Sequence, residues 1–574
     1  MRLVRLPILP RKRPAPLEGG RGEKLLHNFY TTFNLVLQPH PPKYAILLFI
    51  SLLAILHPGE VKHMKALFIY PVIPDTFWSF KHALSFVGKK AAFPPLGLLT
   101  IAAMTPQGWE KRLIDMNVKE LKDEDIRWAD YVFITAMYVQ SASVKEVLHR
   151  CKGWGKKIVA GGPYFTTSDE DFNAIDHLIL GEAEETFPRF LADLEKGRAI
   201  RRYTTEKRPD LSLTPIPAWG LIDMRAYDSM LIQFSRGCPF DCEFCNITQL
   251  NGRKQRTKTP EQFVKEIDAL YRMGWYGSVF VVDDNFIGAK AKVKEMLKRL
   301  AVWMDEHGRP FHFFTEASID LAEDHDLMEL MVRAGFNKVF VGIESPNEDS
   351  LKEAGKVQNM RINLHQAVKT IHANGMEVMG GFIIGFDCDT EDIFEKQVAF
   401  IQTSGIIMAM VGLLGALPGT RLYNRLKEEG RLLQQPSGDN TDGSLNFIPH
   451  MDKTRLLEGY YRVLEGIYSP AAYYERCITF LNTYRPRNVS KIELSGVMAL
   501  FRSIWRIGIR NVGSFRPYYW RLLYKSLMIN PRTFGEAVRL AIVGLHFRKS
   551  LLKNAPPEAA QAPWEYVARR DFAA

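Results

Sequence analysis

The chain has 574 residues, a length that predicts about three or four domains of about 150 residues each. Six cysteines in such a length exclude a disulfide-stapled scaffold, and an apolar content of 46% is that of ordinary folded proteins. The net charge of +11 is concentrated, because residues 501–550 hold ten Lys and Arg side chains against one acid and residues 1–63 hold nine against three. The rest of the chain is slightly acidic, so its body is not a basic surface.

The first segment, residues 1–63, is rich in Arg and Pro and contains an apolar run from Ala45 to Leu56. A bilayer span needs about twenty apolar residues, so this run is too short to cross a membrane. It lies far from the N-terminus and lacks a small-residue cleavage site, which argues against a secretory signal. Because a strand pattern begins at Met64, we expect residues 1–63 to be either a disordered extension or the product of a start site assigned too far upstream.

Residues 64–205 alternate short apolar strands with helical stretches, which predicts an open parallel α/β sheet of the flavodoxin-like, Rossmann type. The predicted strands are Ala66–Tyr70, Lys111–Asp115, Tyr131–Ala136, Lys157–Ala160 and His177–Leu180. Ligands of such sheets bind beyond the carboxyl ends of the strands. The loops at those ends supply the candidate ligand-binding residues Pro95, Gly97, Thr135, Tyr138, Gly161, Gly162 and Glu182.

After a Pro-rich linker over residues 206–224, residues 225–435 repeat a strand and a helix six times. The predicted strands are Leu231–Ser235, Ser278–Asp283, Phe311–Glu316, Lys338–Ile343, Glu377–Ile384 and Ala409–Leu414. Parallel strands joined by helices close toward a barrel, whose chemistry lies at the carboxyl ends of the strands. We therefore expect a partial (β/α)6 barrel.

Three cysteines follow the first strand of this barrel, in the stretch Cys238-Pro-Phe-Asp-Cys242-Glu-Phe-Cys245. Three thiolates so close together can hold three irons of a [4Fe–4S] cluster and leave the fourth iron open. A zinc site normally needs four ligands, often as two Cys-x2-Cys pairs, and no second pair is present. The other three cysteines, Cys151, Cys388 and Cys477, stand alone and are predicted to be ordinary buried thiols.

Polar residues and glycines follow the other barrel strands. Asp283 and Asp284 follow the second strand, where they either contact a ligand or cap a helix. Glu316 and Glu344 end the third and fourth strands, and a carboxylate at the end of a buried strand needs a polar partner. Gly381-Phe-Ile-Ile-Gly385 ends the fifth strand.

Together these motifs resemble the radical S-adenosylmethionine (SAM) enzymes, in which SAM chelates the open iron and is cleaved to a 5′-deoxyadenosyl radical. The resemblance implies that Phe244 and the stretch from Gly381 to Gly385 lie near adenine. It also implies that Glu344 and Ser345 contact the amino-acid or ribose part of SAM. The remaining candidates for SAM are Asp283, Asp284 and Glu316.

The preceding sheet, with Ala160-Gly-Gly-Pro163 and Leu180-Gly-Glu-Ala-Glu184, resembles the cobalamin-binding domain of the cobalamin-dependent radical SAM enzymes. The chain departs from other cobalamin proteins because it has no Asp-x-His-x-x-Gly motif, and His177 follows Asp176 at the wrong spacing. We therefore expect cobalamin without a protein imidazole on cobalt, with Thr135–Gln140 facing the lower side of the corrin. The alternative is a domain that keeps the fold and has lost the cofactor.

Residues 436–574 lose the strand pattern and are predicted to be helical, with aromatic side chains beside Arg and Lys. Such helices can lie on an anionic membrane surface, or they can form a cap that buries its aromatics against the barrel. A tail of this kind resembles that of the subgroup that includes the hopanoid C-2 methylases.

These resemblances imply a C-methyltransferase that acts on an unactivated carbon, with a [4Fe–4S] cluster, SAM and cobalamin as cofactors. Two alternatives stay open, namely a cobalamin-dependent radical SAM cyclase, ring-contraction or oxidation enzyme that transfers no methyl group, and a non-catalytic cobalamin sensor. We expect a small-molecule or lipid substrate, a flavodoxin or ferredoxin as electron donor, and no nucleic acid. The oxygen-sensitive cluster favours the cytoplasm, with peripheral contact at the membrane.

Overall fold

The computed structural model describes residues 63–168, 170–487, 494–510 and 515–552. The expectation for the N-terminal extension concerns residues 1–62 almost entirely and so lies outside the described residues, as does the end of the predicted helical tail. From His63 onward the described residues belong to one compact unit. No described helix is both long enough and apolar enough to cross a membrane.

The first part of this unit is a six-stranded sheet, and every neighbouring pair of strands runs parallel. Its strands are β1 (Lys65–Tyr70), β2 (Glu110–Asp115), β3 (Tyr131–Thr135), β4 (Lys157–Gly161), β5 (His177–Ile179) and β6 (Arg202–Tyr203). The spatial order is β2-β1-β3-β4-β5-β6. The predicted open α/β sheet is confirmed. Strand β6 was not predicted, because two residues carry no readable apolar pattern.

Helices cover both faces of this sheet. They are α1 (Lys81–Val87), α2 (Leu96–Met104), α3 (Asp123–Trp128), α4 (Ser141–Gly153), α5 (Pro163–Thr167) and α6 (Ala183–Glu195). Strand β1 is buried on both faces from Ala66 to Ile69, with one apolar cluster on each side of the sheet. Burial on both faces is typical of a parallel sheet with helices on both sides.

The second sheet forms the partial barrel, and its six strands are also all parallel. They are β7 (Ser229–Ile232), β10 (Gly277–Val281), β11 (Phe311–Glu316), β12 (Phe336–Glu344), β13 (Glu377–Ile384) and β14 (Ala409–Leu413). A separate antiparallel hairpin of β8 (Ser235–Arg236) and β9 (Arg256–Thr257) follows β7 in the chain. The order is β14-β13-β12-β11-β10-β7. The expected six-unit barrel is confirmed.

Strand β7 ends at Ile232, three residues before its predicted end. The N–H groups of Phe234 and Ser235 donate to the Asp283 carboxylate instead of a neighbouring strand, so the chain leaves the sheet there. The barrel helices are α7 (Ile247–Asn251), α8 (Pro260–Arg272), α9 (Lys290–Glu306), α10 (His325–Ala334), α11 (Glu348–Glu353), α12 (Leu364–Ala373), α13 (Ile393–Ser404) and α14 (Arg421–Glu428).

The C-terminal part is helical, as predicted. Its helices are α15 (Lys453–Tyr468), α16 (Pro470–Thr483), α17 (Leu494–Ser503), which continues as a π-helix over Ile504–Ile509, α18 (Phe515–Ile529) and α19 (Phe534–Leu552). Helix α15 covers the edge of the barrel sheet, since the Tyr468 hydroxyl donates to the Ala409 carbonyl at 2.7 Å. Capping an edge strand in this way satisfies backbone groups that would otherwise lack partners. The domain boundaries after residues 205, 224 and 435 stay a prediction.

Candidate active site

The cysteine loop is anchored by two adjacent carboxylates that follow β10. Asp283 accepts hydrogen bonds from the N–H groups of Phe234 and Ser235, both at 2.8 Å. Asp284 accepts from the Gly237 N–H at 2.7 Å and from the Asn251 side-chain amide at 2.9 Å. The helix-capping interpretation of these two residues is therefore wrong. Their carboxylates hold the start and the end of the segment that carries the cysteines.

Asp283 is buried, and Asp284 is half-buried. Asp283 is 1% exposed, and burial raises its pKa to about 7 in spite of the hydrogen bonds from Ser235 and Phe234. Burial also raises the pKa of Asp284, against the effect of the Gly237 N–H. Carboxylates that are fully used by backbone donors position a loop well, because each bond fixes a main-chain atom.

The three predicted cysteines, Cys238, Cys242 and Cys245, are half-buried free thiols on this loop. Among the described residues, the group of His, Cys, Asp and Glu whose ligand atoms all lie within 4.8 Å of one another is Asp75, His82 and His546. At least two of the three sulfurs are therefore farther apart than 4.8 Å. A tetrahedral zinc ion with bonds of about 2.3 Å would hold its sulfurs about 3.8 Å apart. The spacing therefore fits a polynuclear cluster rather than one zinc ion.

The surroundings of the sulfurs also suit a cluster. The Asn285 amide nitrogen lies 3.9 Å from Cys238 Sγ and is held by the Ser318 hydroxyl. Burial raises the pKa of all three thiols, that of Cys245 to about 12, while the Lys356 ammonium opposes this rise. Thiolates bound to iron carry negative charge, which a nearby cation offsets. Of the other cysteines, Cys151 and Cys477 are buried as predicted, and Cys388 is half-buried.

Lys356 was not predicted, and it forms an ion pair with the predicted residue Glu344 at 2.5 Å. Glu344 has a φ of +63°, a backbone conformation that costs energy in a residue other than glycine. Gly342 makes room for the pair, because a Cβ there would lie 2.2 Å from Glu344 Oε1. Nothing in the sequence around Lys356 marks it, since its role depends on residues from other loops.

The other SAM candidates are grouped at the carboxyl ends of the barrel strands. Ser345 is fully buried and accepts from the Asn347 N–H. Phe244 lies beside Phe386, with ring centroids 6.5 Å apart. The residue before Phe386 is Gly385, whose N–H donates to Asp389, and Gly381 packs on the ring of Phe340.

Glu316 is the polar candidate that faces open space. It lines the large cavity of the barrel, and no hydrogen-bond donor among the described residues reaches its carboxylate. Burial, followed by the charges of Asp284 and Asp283, raises its pKa to about 8. A carboxyl group that is mostly protonated near neutral pH can donate as well as accept a hydrogen bond.

The cobalamin candidates separate into three groups. Thr135 and Gly162 are neighbours, because a Cβ on Gly162 (φ +95°) would lie 2.2 Å from Thr135 Oγ1, and Gly161 packs on the Ile179 carbonyl. Tyr138 lies against the loop at Gly438. Pro95 precedes α2 and is buried, whereas Gly97 is exposed in the first turn.

Glu182 belongs to an ion-pair network that sequence reasoning missed. It pairs with Arg236 and Arg256, each at 2.8 Å, and Arg236 also pairs with Glu184 at 2.8 Å. The glutamates follow β5 of the first sheet, whereas the arginines lie in the hairpin that flanks the cysteine loop. The network therefore joins the two sheets close to Cys238.

His177 lies far from this ligand end of the first sheet. It is the first residue of β5, at the amino end of the strand, and its Nδ1 lies 2.8 Å from the Ile200 carbonyl. The carboxyl end of the same strand precedes Gly181 and Glu182. The position agrees with the prediction that this histidine is not a ligand of cobalt.

A cavity of about 2070 Å³ lies inside the barrel and extends to the first sheet. It is larger than the pocket of one drug-sized ligand, which is about 300–1,000 Å³. The middle of the barrel contributes a ring of apolar side chains, namely Leu231, Phe280, Phe314, Phe340, Met379 and Met410. The cavity reaches Val282 and Glu316 beside the loop anchors, and Met137 and Tyr138 in the first sheet.

Comparison with known families matches three consecutive parts of the chain. Residues 90–191 match the B12 binding domain, residues 232–401 match the Radical SAM superfamily, and residues 420–555 match a domain of unknown function, DUF4070. The first match covers four of the six strands of the first sheet, and the second covers the cysteine loop and the barrel strands from β10 to β13.

Two curated relatives span most of the chain. The chain is 43% identical over 491 residues to an uncharacterized methyltransferase, sll1242, of Synechocystis sp.. The alignment covers 84% of this chain and 91% of the relative. The chain is also 34% identical over 479 residues to the hopanoid C-2 methylase of Rhodopseudomonas palustris, in an alignment that covers 81% of this chain and 89% of that protein.

Solved structures share the fold at low sequence identity. The cobalamin-dependent SAM radical enzyme OxsB with aqua-cobalamin bound aligns with a TM-score of 0.56 and 14% identity, over 85% of this chain and 84% of that chain. The radical SAM methyltransferase TsrM from Kitasatospora setae, with cobalamin and a [4Fe–4S] cluster bound, aligns with a TM-score of 0.55 and 14% identity, over 83% and 99%. Because the chain has the two sheets, the cysteine loop and these relatives, it belongs to the cobalamin-binding radical SAM enzymes, in the group that includes the hopanoid C-2 methylase.

Proposed function

We propose that this enzyme methylates an unactivated carbon of a large, mainly apolar substrate of the lipid class, held inside the barrel. The observation that carries the proposal is the cavity itself, since one mainly apolar space extends from Val282 and Glu316, beside the anchors of the cysteine loop, to Met137 and Tyr138 at the ligand end of the first sheet. When bound, the cluster with SAM supplies hydrogen abstraction and the cobalamin supplies the methyl group. A mainly apolar lining limits the access of water to the reacting groups, which protects radical chemistry from side reactions.

The chain's own residues then have distinct roles. Cys238, Cys242 and Cys245 would hold three irons, and Asp283 and Asp284 would act as positioning residues that fix the loop through its backbone. This assignment moves the two aspartates away from SAM, because their oxygens already accept hydrogen bonds from the loop.

SAM would lie over the carboxyl ends of β11 to β13. Phe244, Gly381 and Gly385 would lie near adenine, and Glu344 with Ser345 near the ribose or amino-acid part. Glu316 would bind the SAM ammonium or the substrate, because its carboxyl faces the cavity and lacks a described donor.

Cobalamin would lie across the carboxyl end of the first sheet, near Thr135, Gly161 and Gly162. The absence of a Cβ at Gly162 lets its backbone lie against Thr135, and the same freedom suits close approach to a ligand. Tyr138, Pro95 and Gly97 stay candidates for the rim of this site. Glu182 would act indirectly, through the ion pairs that join the sheets.

Part of the C-terminal helices is proposed to contact a membrane surface. Four side chains on α17, its π-helical continuation and α18 are more than half exposed, namely Phe501, Trp505, Tyr524 and Met528. Exposed Arg506, Arg510 and Lys525 stand among them. Apolar side chains mixed with cations suit the surface of an anionic bilayer. Helix α17 also lines the cavity through Val497 and Leu500, which gives a lipid substrate a short route inward.

Anaerobic reconstitution with iron, sulfide and hydroxocobalamin tests the proposal. After addition of SAM and a reductant, for which we propose flavodoxin or ferredoxin in the cell, chromatography should detect both 5′-deoxyadenosine and S-adenosylhomocysteine. Formation of 5′-deoxyadenosine without S-adenosylhomocysteine, in the presence of bound cobalamin, would favour an enzyme that transfers no methyl group.

A further inference from the structure

The amino-terminal end of the barrel is polar, although it lies at the opposite end of the cavity from the cysteine loop. Side chains alternate along a strand, so His312, Phe314 and Glu316 of β11 face the same way, as do Lys338 and Phe340 of β12. All five line the cavity. The cavity therefore has a polar floor at His312 and Lys338, an apolar middle, and the active-site end at Glu316.

Helix α19 closes this floor with two further charges. Arg539 pairs with Glu536 of its own helix and, at 2.6 Å, with Glu377, the first residue of β13. Arg539 and Glu536 line the cavity, as does Asp228, which precedes β7. The floor thus brings together groups from two strands, one loop and one helix, and Glu377 pairs with Arg539 without lining the cavity itself.

Two of these groups have an atom without a hydrogen-bond partner in the described part of the chain. The Lys338 ammonium has no hydrogen-bond acceptor among the described residues, although burial lowers its pKa. Glu377 is 1% exposed, and its Oε1 has no hydrogen-bond donor, because Arg539 binds the other oxygen. Strands β12 and β13 pair Lys338 directly with Glu377, so the donor and the acceptor are neighbours. Buried polar groups without partners are costly, which points to a polar ligand.

We infer that this floor binds a hydroxyl group at the end of the substrate remote from the carbon that is methylated. The inference rests on the proposed function. A hydroxyl both donates and accepts, so it can accept from the Lys338 ammonium and donate to the Asp228 or Glu536 carboxylate, which line the same floor. An anionic head fits poorly, because the carboxylates of Asp228, Glu377 and Glu536 outnumber the cations Lys338 and Arg539.

The floor also sets the length of the substrate. Glu316 is four positions after His312, which is about 13 Å along a strand. The apolar body of the substrate spans this distance, between the hydroxyl at the floor and the reacting carbon near Glu316. The floor would thereby select which carbon reaches the active-site end.

Binding of two probes to the reconstituted full-length enzyme tests the inference. Cholestanol and its parent hydrocarbon cholestane, delivered in cyclodextrin, differ by one hydroxyl group. The enzyme should retain cholestanol at least about ten-fold more strongly, since a hydrogen bond to a charged group is stronger than one between neutral groups. Lys338→Met should abolish this preference and leave cholestane binding unchanged, and Lys338→Arg should keep it.

Lys90→Met is the matched control, because Lys90 lines the same cavity and its ammonium already donates to the Val118 carbonyl. It should leave the preference intact. Unchanged cholestane binding by Lys338→Met shows that the variant is folded. Equal retention of the two probes by the unmodified enzyme would overturn the hydroxyl site and leave the lipid proposal standing. Retention of neither probe, with cobalamin and the cluster bound, would overturn both.

Discussion

Arg236 Nη1 lies 2.8 Å from Glu182 Oε2, and this contact connects the cobalamin-binding sheet to the segment that carries the cluster ligands. Arg236 is two residues before Cys238, and Glu182 follows β5. The arginine is 14% exposed and the glutamate 6%, so the pair is sheltered from solvent. Buried pairs of this kind are geometrically demanding. We expect this one to fix the distance between the two cofactors.

The neighbouring carboxylate Glu184 should make this junction sensitive to acid. Burial alone would raise its pKa, but the hydrogen bonds and charge of Arg236 outweigh burial and hold the pKa at about 2, below the ordinary 4.5. Because the folded pKa is lowered, the stabilisation is complete above about pH 4.5 and is lost as the pH falls toward 2. Glu184→Gln should reduce the free energy of unfolding at pH 7 by about 3 kcal/mol.

Thermal denaturation from pH 7 down to pH 3 measures this effect. The difference in melting temperature between the unmodified protein and Glu184→Gln should become smaller below about pH 4.5. Glu185→Gln is the control, because Glu185 is in the same helix and its pair with Lys207 is on the surface. A difference in melting temperature that does not change with pH would show that Arg236 does not stabilise the charged form of Glu184.

Asp284→Asn should loosen the cysteine loop without harming the cobalamin site. The Asn251 side-chain N–H donates to one oxygen of Asp284. In the variant an NH2 group can replace one of the two oxygens, so one of the two anchoring contacts is lost. Iron and sulfide bound after reconstitution should fall several-fold, whereas bound cobalamin should be unchanged. Asp268→Asn, at a surface pair with Arg272, is the control. Normal iron content in Asp284→Asn would remove this residue from the positioning role.

Cys242→Ala should abolish the cluster absorbance and the formation of 5′-deoxyadenosine, because two thiolates cannot hold the cluster securely. Cobalamin should still bind, since its candidate residues lie on the first sheet. Cys388→Ala, which removes a half-buried thiol outside the cysteine loop, should retain both the cluster absorbance and the formation of 5′-deoxyadenosine. Persistence of 5′-deoxyadenosine in Cys242→Ala would contradict the assignment of this cysteine as an iron ligand.

Trp505→Glu should weaken binding to anionic vesicles, because it places a negative charge on an exposed apolar face. Sedimentation with vesicles that contain phosphatidylserine should show a several-fold loss of bound protein, and added salt should weaken the binding of the unmodified protein. Ile200→Glu changes a similarly exposed residue in the loop before β6 and should have no effect. Equal loss in both variants would exclude a specific contact through the α17–α18 face.

The strands, the barrel and the cysteine loop could be predicted because each depends on a local pattern. The predicted bounds of β11 and β13 are the observed ones, because the apolar residues and glycines of each strand form a clear local pattern. The contacts that position the loop could not be predicted. Asp283 was identified, but its partners lie 48 and 49 residues away.

The same limit applies to Lys356 and to Arg236. Neither residue belongs to a short motif, and both gain their role from carboxylates supplied by other parts of the chain. The polar floor of the cavity is a further case, because Lys338 and Glu377 become neighbours through strand pairing. Local sequence patterns contain no signal for such pairs.

Transfer of a labelled methyl group tests the central claim most directly. The reconstituted enzyme would be incubated anaerobically with a reductant, a bacterial lipid extract and SAM that carries a trideuterated methyl group, and the lipids would be analysed by mass spectrometry. We predict a lipid that gains one trideuteromethyl group in place of hydrogen, with S-adenosylhomocysteine formed, and no such lipid with Cys242→Ala. A chemically altered lipid that lacks deuterium would contradict methyl transfer and indicate another radical reaction in the same cavity.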